Sequence, residues 1–139
     1  YFEEVDSPAN KAFVQRFKDR MGDDAPALNE LAARSYEAAY IWAEAVKAAG
    51  TPEREEVIEA LRSGAGYDGP SGRVAIEPKT NHANQNVYLA ELKNQSFNII
   101  ETHENQPPTD TLLVCDLVAD PNQSTFKFEN GLEAAGIEL

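Results

Sequence analysis

Apolar residues recur every four positions near the start of this chain. Ala9, Phe13, Phe17 and Met21 fall on one stripe, with Lys11, Gln15, Lys18 and Asp19 between them. That period predicts an amphipathic helix from about Pro8 to Met21. Ser7 offers a capping hydroxyl, and Pro8 takes the first helical position, where a missing N–H costs nothing. Gly22 stops the helix before the loop Asp23-Asp24-Ala25-Pro26. A longer pattern predicts a second helix over about Leu28 to Ala49, with Leu31, Ser35, Ala38, Ala39, Trp42, Val46 and Ala49 on one broad face. Its many alanines favour helix and let another layer approach closely. Gly50 supplies a left-handed stop, and Thr51-Pro52 repeats the cap-then-proline start. The third helix runs to about Ser63, with Val57, Ile58 and Leu61 inward.

From Gly64 the pattern changes. Gly64, Gly66, Gly69, Pro70 and Gly72 break helix and prepare turns. Arg73 to Glu77 reads as a short strand closed by Pro78. Val87 to Lys93 and Phe97 to Thr102 read as stronger strands, joined at Asn94-Gln95 by a tight hairpin turn. Val87 and Leu89 lie on one face of the first of these, and Tyr88, Ala90 and Leu92 on the other. A strand apolar on both faces is expected to be covered on both. Leu112 to Leu117, after the Pro107-Pro108 break, is a further short extended candidate. The segment from Asp120 to Leu139 is polar and weakly patterned.

Composition narrows the partners. The chain has 139 residues, enough for one ordinary domain, and a formal net charge of -12. A field of that sign repels phosphate backbones and anionic lipid, so nucleic acid and membrane surfaces are poor partners. The one cysteine, Cys115, excludes an internal disulfide. Leu112, Leu113, Val114 and Leu117 around it predict a buried, inert thiol. No run approaches the roughly 18 apolar residues of a membrane span. Tyr1-Phe2-Glu3-Glu4 does not have the form of a signal peptide, which says nothing about export if the chain is the tail of a longer protein.

Several residues suggest chemistry and have plainer readings. His82, beside Asn81 and Asn84, reads as a local hydrogen-bonding residue rather than a metal ligand, and His103 has no Cys or His at metal spacing. Glu53, Glu55, Glu56 and Glu59 favour the positive end of the third helix and read as a solvated face. The glycines from Gly64 to Gly72 have neither the Lys-Ser/Thr nor the following helix of a phosphate cradle. Ser71 does not stand in a Gly-x-Ser-x-Gly context. These features predict neither catalysis nor a cofactor.

The ordered motifs narrow the fold. Pro8-Ala9-Asn10-Lys11-Ala12-Phe13-Val14, Ala38-Ala39-Tyr40, Ala48-Ala49-Gly50 and Tyr67-Asp68-Gly69-Pro70-Ser71-Gly72 follow one another at a spacing that resembles the closing segment of type I periplasmic solute-binding proteins of the leucine-binding type. Asn81-His82 before Asn86-Val87-Tyr88-Leu89-Ala90-Glu91-Leu92 resembles the branch that binds short amides, urea and branched-chain amino acids. Pro107 to Leu117 looks like the tail of the cytosolic amide sensor that controls amidase operons.

The resemblance implies an α/β, three-layer fold of which this chain is the C-terminal portion, three helices followed by a hairpin and short strands. Residues 1–118 would be the last segment of a two-lobed receptor: 1–22 in the second lobe, 28–63 in the first, 67–103 in the second, 104–118 a terminal extension, and 119–139 a tail. Most of the ligand site and the N-terminal two thirds of the protein would lie before Tyr1. On its own the chain would be marginal or would self-associate. The implied ligand is a small neutral amide, urea or a branched-chain amino acid, closed between lobes that dock on a membrane permease outside the cytoplasm, or in the sensor case on a regulatory protein inside it. Carried over to this sequence, Leu31 would touch ligand, Arg34 and Tyr36 would line the crevice rim, and Tyr1 would follow a strand end that holds ligand.

Overall fold

The computed structural model describes residues 1–123 apart from positions 23 and 114. Three helices, α1 (Pro8–Met21), α2 (Glu30–Ala49) and α3 (Arg54–Arg62), precede the strands β1 (Gly66–Gly69), β2 (Gly72–Ile76), β3 (Ala83–Lys93) and β4 (Ser96–Gln106), and a single turn, α4 (Thr109–Leu112), follows them. The strands form one antiparallel sheet in the order β1-β2-β3-β4. Two irregularities of register, at Gln85/Val87 and Leu89/Ala90, curl the long β3–β4 ribbon.

Each helix boundary follows from its caps. Ser7 Oγ accepts from the Asn10 N–H at 3.1 Å and Pro8 opens α1. Asn29 Oδ1 accepts from the Ala32 N–H at 3.0 Å, so α2 starts two residues after the expected Leu28, which is itself buried in the core. Gly50, at φ 71°, closes α2 and permits the short turn into α3. That helix begins at Arg54, later than the Thr51-Pro52 start expected, with Thr51 Oγ1 accepting from the Glu53 N–H at 3.3 Å.

The core lies between the helices and β1–β2. Phe13, Leu28 and Ala33 form a buried cluster, against which Tyr1, Val14, Phe17 and Tyr36 pack. On α2 the buried positions are Ala33, Glu37, Ile41 and Ala45. The broad face expected from the sequence points elsewhere: Leu31 is 78% and Trp42 56% exposed. Two apolar stripes share this helix, and hydrophobicity alone cannot rank them. The chain covers the narrower one, which carries the polar residue that bonds to the hairpin.

The strands depart from expectation in three ways. Gly66–Gly69 pairs with β2 as a strand, where turn-forming residues alone were legible. Val87, Leu89 and Leu92 are 48%, 51% and 68% exposed, so β3 is not covered on both faces by the described residues. Leu112 to Leu117 is not extended: the Leu112 N–H donates to Pro108 O and the Cys115 N–H to Thr111 O, each at 2.9 Å, local bonds that turn the chain after the two prolines. Cys115 is half-buried rather than buried. Val114, and the tail from 124 to 139, lie outside the described residues.

Candidate functional site

The motif Tyr67-Asp68-Gly69-Pro70-Ser71-Gly72 becomes a structure through Glu37. Its carboxylate is 1% exposed, on the inner face of α2. Ser71, at the tip of the β1–β2 hairpin and fully buried, donates its N–H (2.8 Å) and its hydroxyl (2.5 Å) to Glu37 Oε1. Arg34 Nη1 donates to Glu37 Oε2 at 3.0 Å and to Ser71 Oγ at 2.6 Å. A buried carboxylate costs several kcal/mol unless paired and hydrogen-bonded, and here both oxygens are engaged. The Tyr88 hydroxyl donates to Ser71 O at 3.0 Å and ties β3 to the same turn.

The glycines are read from this contact. A Cβ on Gly69 would lie 2.7 Å from Glu37 Oε1, so the hairpin approaches the helix only because that side chain is absent. Gly72 has φ +88°, and a Cβ there would fall 2.2 Å from Asn86 Nδ2.

The four residues expected at the crevice are placed unevenly. Arg34 is held by the Glu37–Ser71 network, its side chain 22% exposed. The Tyr1 backbone nitrogen lies 3.9 Å from Glu30 Oε1, and Arg34 Nε lies 3.6 Å from the same oxygen, so Tyr1 and Arg34 meet around Glu30. The Tyr1 hydroxyl donates to Asn10 Oδ1 at 2.6 Å, and Asn10 is fully enclosed, donating to Glu3 O and Val5 O. Burial, and then the charges of Glu3, Glu37 and Glu4, hold the Tyr1 phenol above its ordinary pKa. Tyr36 joins an aromatic run instead, with its ring 4.6 Å from Phe13 and 4.7 Å from Tyr40. Its hydroxyl accepts from Arg16 Nη2 at 2.6 Å. Burial and the neighbouring Tyr67 hydroxyl raise its pKa. Leu31 stands in solvent and is not drawn into this group.

Glu30, Glu37 and the hydrogen-bonding role of Ser71 were not legible beforehand. The available signal for Glu37 was its place in the 33-37-41-45 series, a lone charge on an otherwise apolar stripe. Of the residues read as bland, His82 bonds locally, its ring Nδ1 3.0 Å from Thr80 O, and the three glutamates of α3, with Glu53 at its N-cap, are exposed. Glu30 and Tyr1 also border an open cavity of about 970 Å³, with Phe2, Glu3, Leu28 and Phe97. The Phe2 ring packs against Phe97 at 4.8 Å, tilted by 47°, and carries the start of the chain onto the β3–β4 ribbon.

Comparison with known proteins bears on this arrangement. The family model described as periplasmic binding protein matches residues 1–96, through the network and the β3–β4 turn. The chain belongs to the periplasmic binding protein family. A Leu/Ile/Val-binding protein homolog of Brucella abortus is 30% identical over 88 residues, 63% of this chain and 22% of that protein. A protein of Geobacillus stearothermophilus named limonene hydroxylase is 25% identical over 124 residues, 88% of this chain and 22% of its own length. The solute-binding protein of an ABC transporter from Rhodopseudomonas palustris, solved with p-hydroxybenzoic acid, is 28% identical with a TM-score of 0.61 over 77% of this chain and 30% of that one. This member of the family thus spans about a fifth of the curated relatives it matches and under a third of the solved structure. Its fold is α/β, a partial domain of the type I binding-protein architecture, as the ordered motifs implied.

Proposed function

We propose that this chain is the C-terminal part of the substrate-binding component of an ABC-type uptake transporter, a receptor that closes two lobes on a short amide, urea or a branched-chain amino acid. The observation that carries the reading is the convergence of Tyr1 and Arg34 at the N-terminal end of α2, within a chain whose family is that of periplasmic binding proteins. Residues 1–22 and 67–103 are assigned to the second lobe and 28–63 to the first. In this reading the Arg16–Tyr36 hydrogen bond and the Phe13–Tyr36 contact cross between lobes. Residues 104–118 extend the second lobe, and Tyr1, Arg34, Tyr36 and Leu31 face the crevice of the closed protein, Leu31 against residues that precede this chain.

Closure buries ligand and creates the surface that a membrane permease recognises. The place of work is periplasmic or extracellular. The role is binding without turnover, which the Brucella and Rhodopseudomonas relatives favour and the name of the Geobacillus relative opposes. The alternative, a cytosolic amide sensor releasing a regulatory protein, draws on the segment Pro107 to Leu117.

A thermal-shift screen of the full-length protein tests the reading. Acetamide, urea or leucine should raise the melting temperature with concentration, by the usual linkage of binding to folding. A flat response to all of them removes both receptor readings, and product formed from an amide or from limonene overturns the non-catalytic role.

A further inference from the structure

We draw no further inference here: the strongest candidate, the exposed apolar stripe of α2 that carries Leu31 and Trp42, is an unpartnered helix face in a chain that spans 30% of the solved structure it matches, and nothing in the structure shows what covers it.

Discussion

Replacing Glu37 by alanine tests the structural claim on which the site depends. The change removes three hydrogen bonds to one carboxylate: from the Ser71 N–H at 2.8 Å, the Ser71 hydroxyl at 2.5 Å and Arg34 Nη1 at 3.0 Å. The Ser71 hydroxyl can turn elsewhere, but its N–H cannot, and an orphaned buried N–H costs about 1–3 kcal/mol. Breaking a buried ion pair from one side costs about 3–5 kcal/mol, and the upper part of that range is reduced here because Arg34 keeps some contact with water and Glu30 nearby. The expected destabilisation is therefore about 3–4 kcal/mol. Glu37→Gln keeps one acceptor oxygen and should cost roughly half as much. The measurement is urea unfolding of the full-length protein, with the midpoint shift read at constant slope. Ser71→Ala combined with Glu37→Ala in a double-mutant cycle should show a coupling of about 1–3 kcal/mol. A loss under about 1 kcal/mol for Glu37→Ala, or additive single losses, would refute the view that this carboxylate fastens the hairpin to the helix.

Three further outcomes follow from the same geometry. Gly72→Ala should cost more than about 2 kcal/mol, because it combines φ +88° with a Cβ 2.2 Å from Asn86 Nδ2, whereas Gly64→Ala, at φ +101° with open space around it, should cost only about 1 kcal/mol; equal losses in thermal unfolding would contradict this. Glu3 is subject to burial, which would raise its pKa, but hydrogen bonds from Lys18 and the Leu28 N–H outweigh it and hold the carboxyl below its ordinary value. Its contribution is then complete above the unfolded pKa and is lost as pH falls through the lower folded value, so Glu3→Gln should flatten the acid limb of the stability curve and leave the slope above pH ~6 unchanged. Gln95 occupies φ 64° at the β3–β4 turn, so Gln95→Gly should raise the free energy of unfolding by about 0.5–1 kcal/mol in urea titration, and a fall would show that the side chain makes a contact of its own.

The helices were legible because each carries its own punctuation: Ser7-Pro8, Gly50 and a four-residue apolar period are local, and local signals survive whatever packs around them. The β3–β4 turn was legible for the same reason, Asn94 and Gln95 both taking positive φ. What failed was partner choice. Gly66 to Gly69 has too little side chain to announce a strand, and its pairing with β2 rests on backbone bonds that periodicity cannot see. The two apolar stripes of α2 differ in which one this chain covers, a fact set by tertiary contacts. Of the site, Arg34 and Tyr1 came from the family resemblance alone, and the structure brings them to a common neighbour that nothing in the pattern marked. Glu37 was invisible for a physical reason: a glutamate in a helix is ordinarily a solvated residue, and only the fold reveals that this one is sealed.

The fastening of helix to hairpin has an outcome for anyone altering residues around Arg34. Arg34 and Ser71 lie 37 positions apart, yet Arg34 Nη1 donates to the Ser71 hydroxyl oxygen and both residues donate to the Glu37 carboxylate. Mutagenesis of Arg34 should therefore also change yield and thermal tolerance, and libraries that randomise position 34 should vary 37 and 71 together to recover well-folded clones.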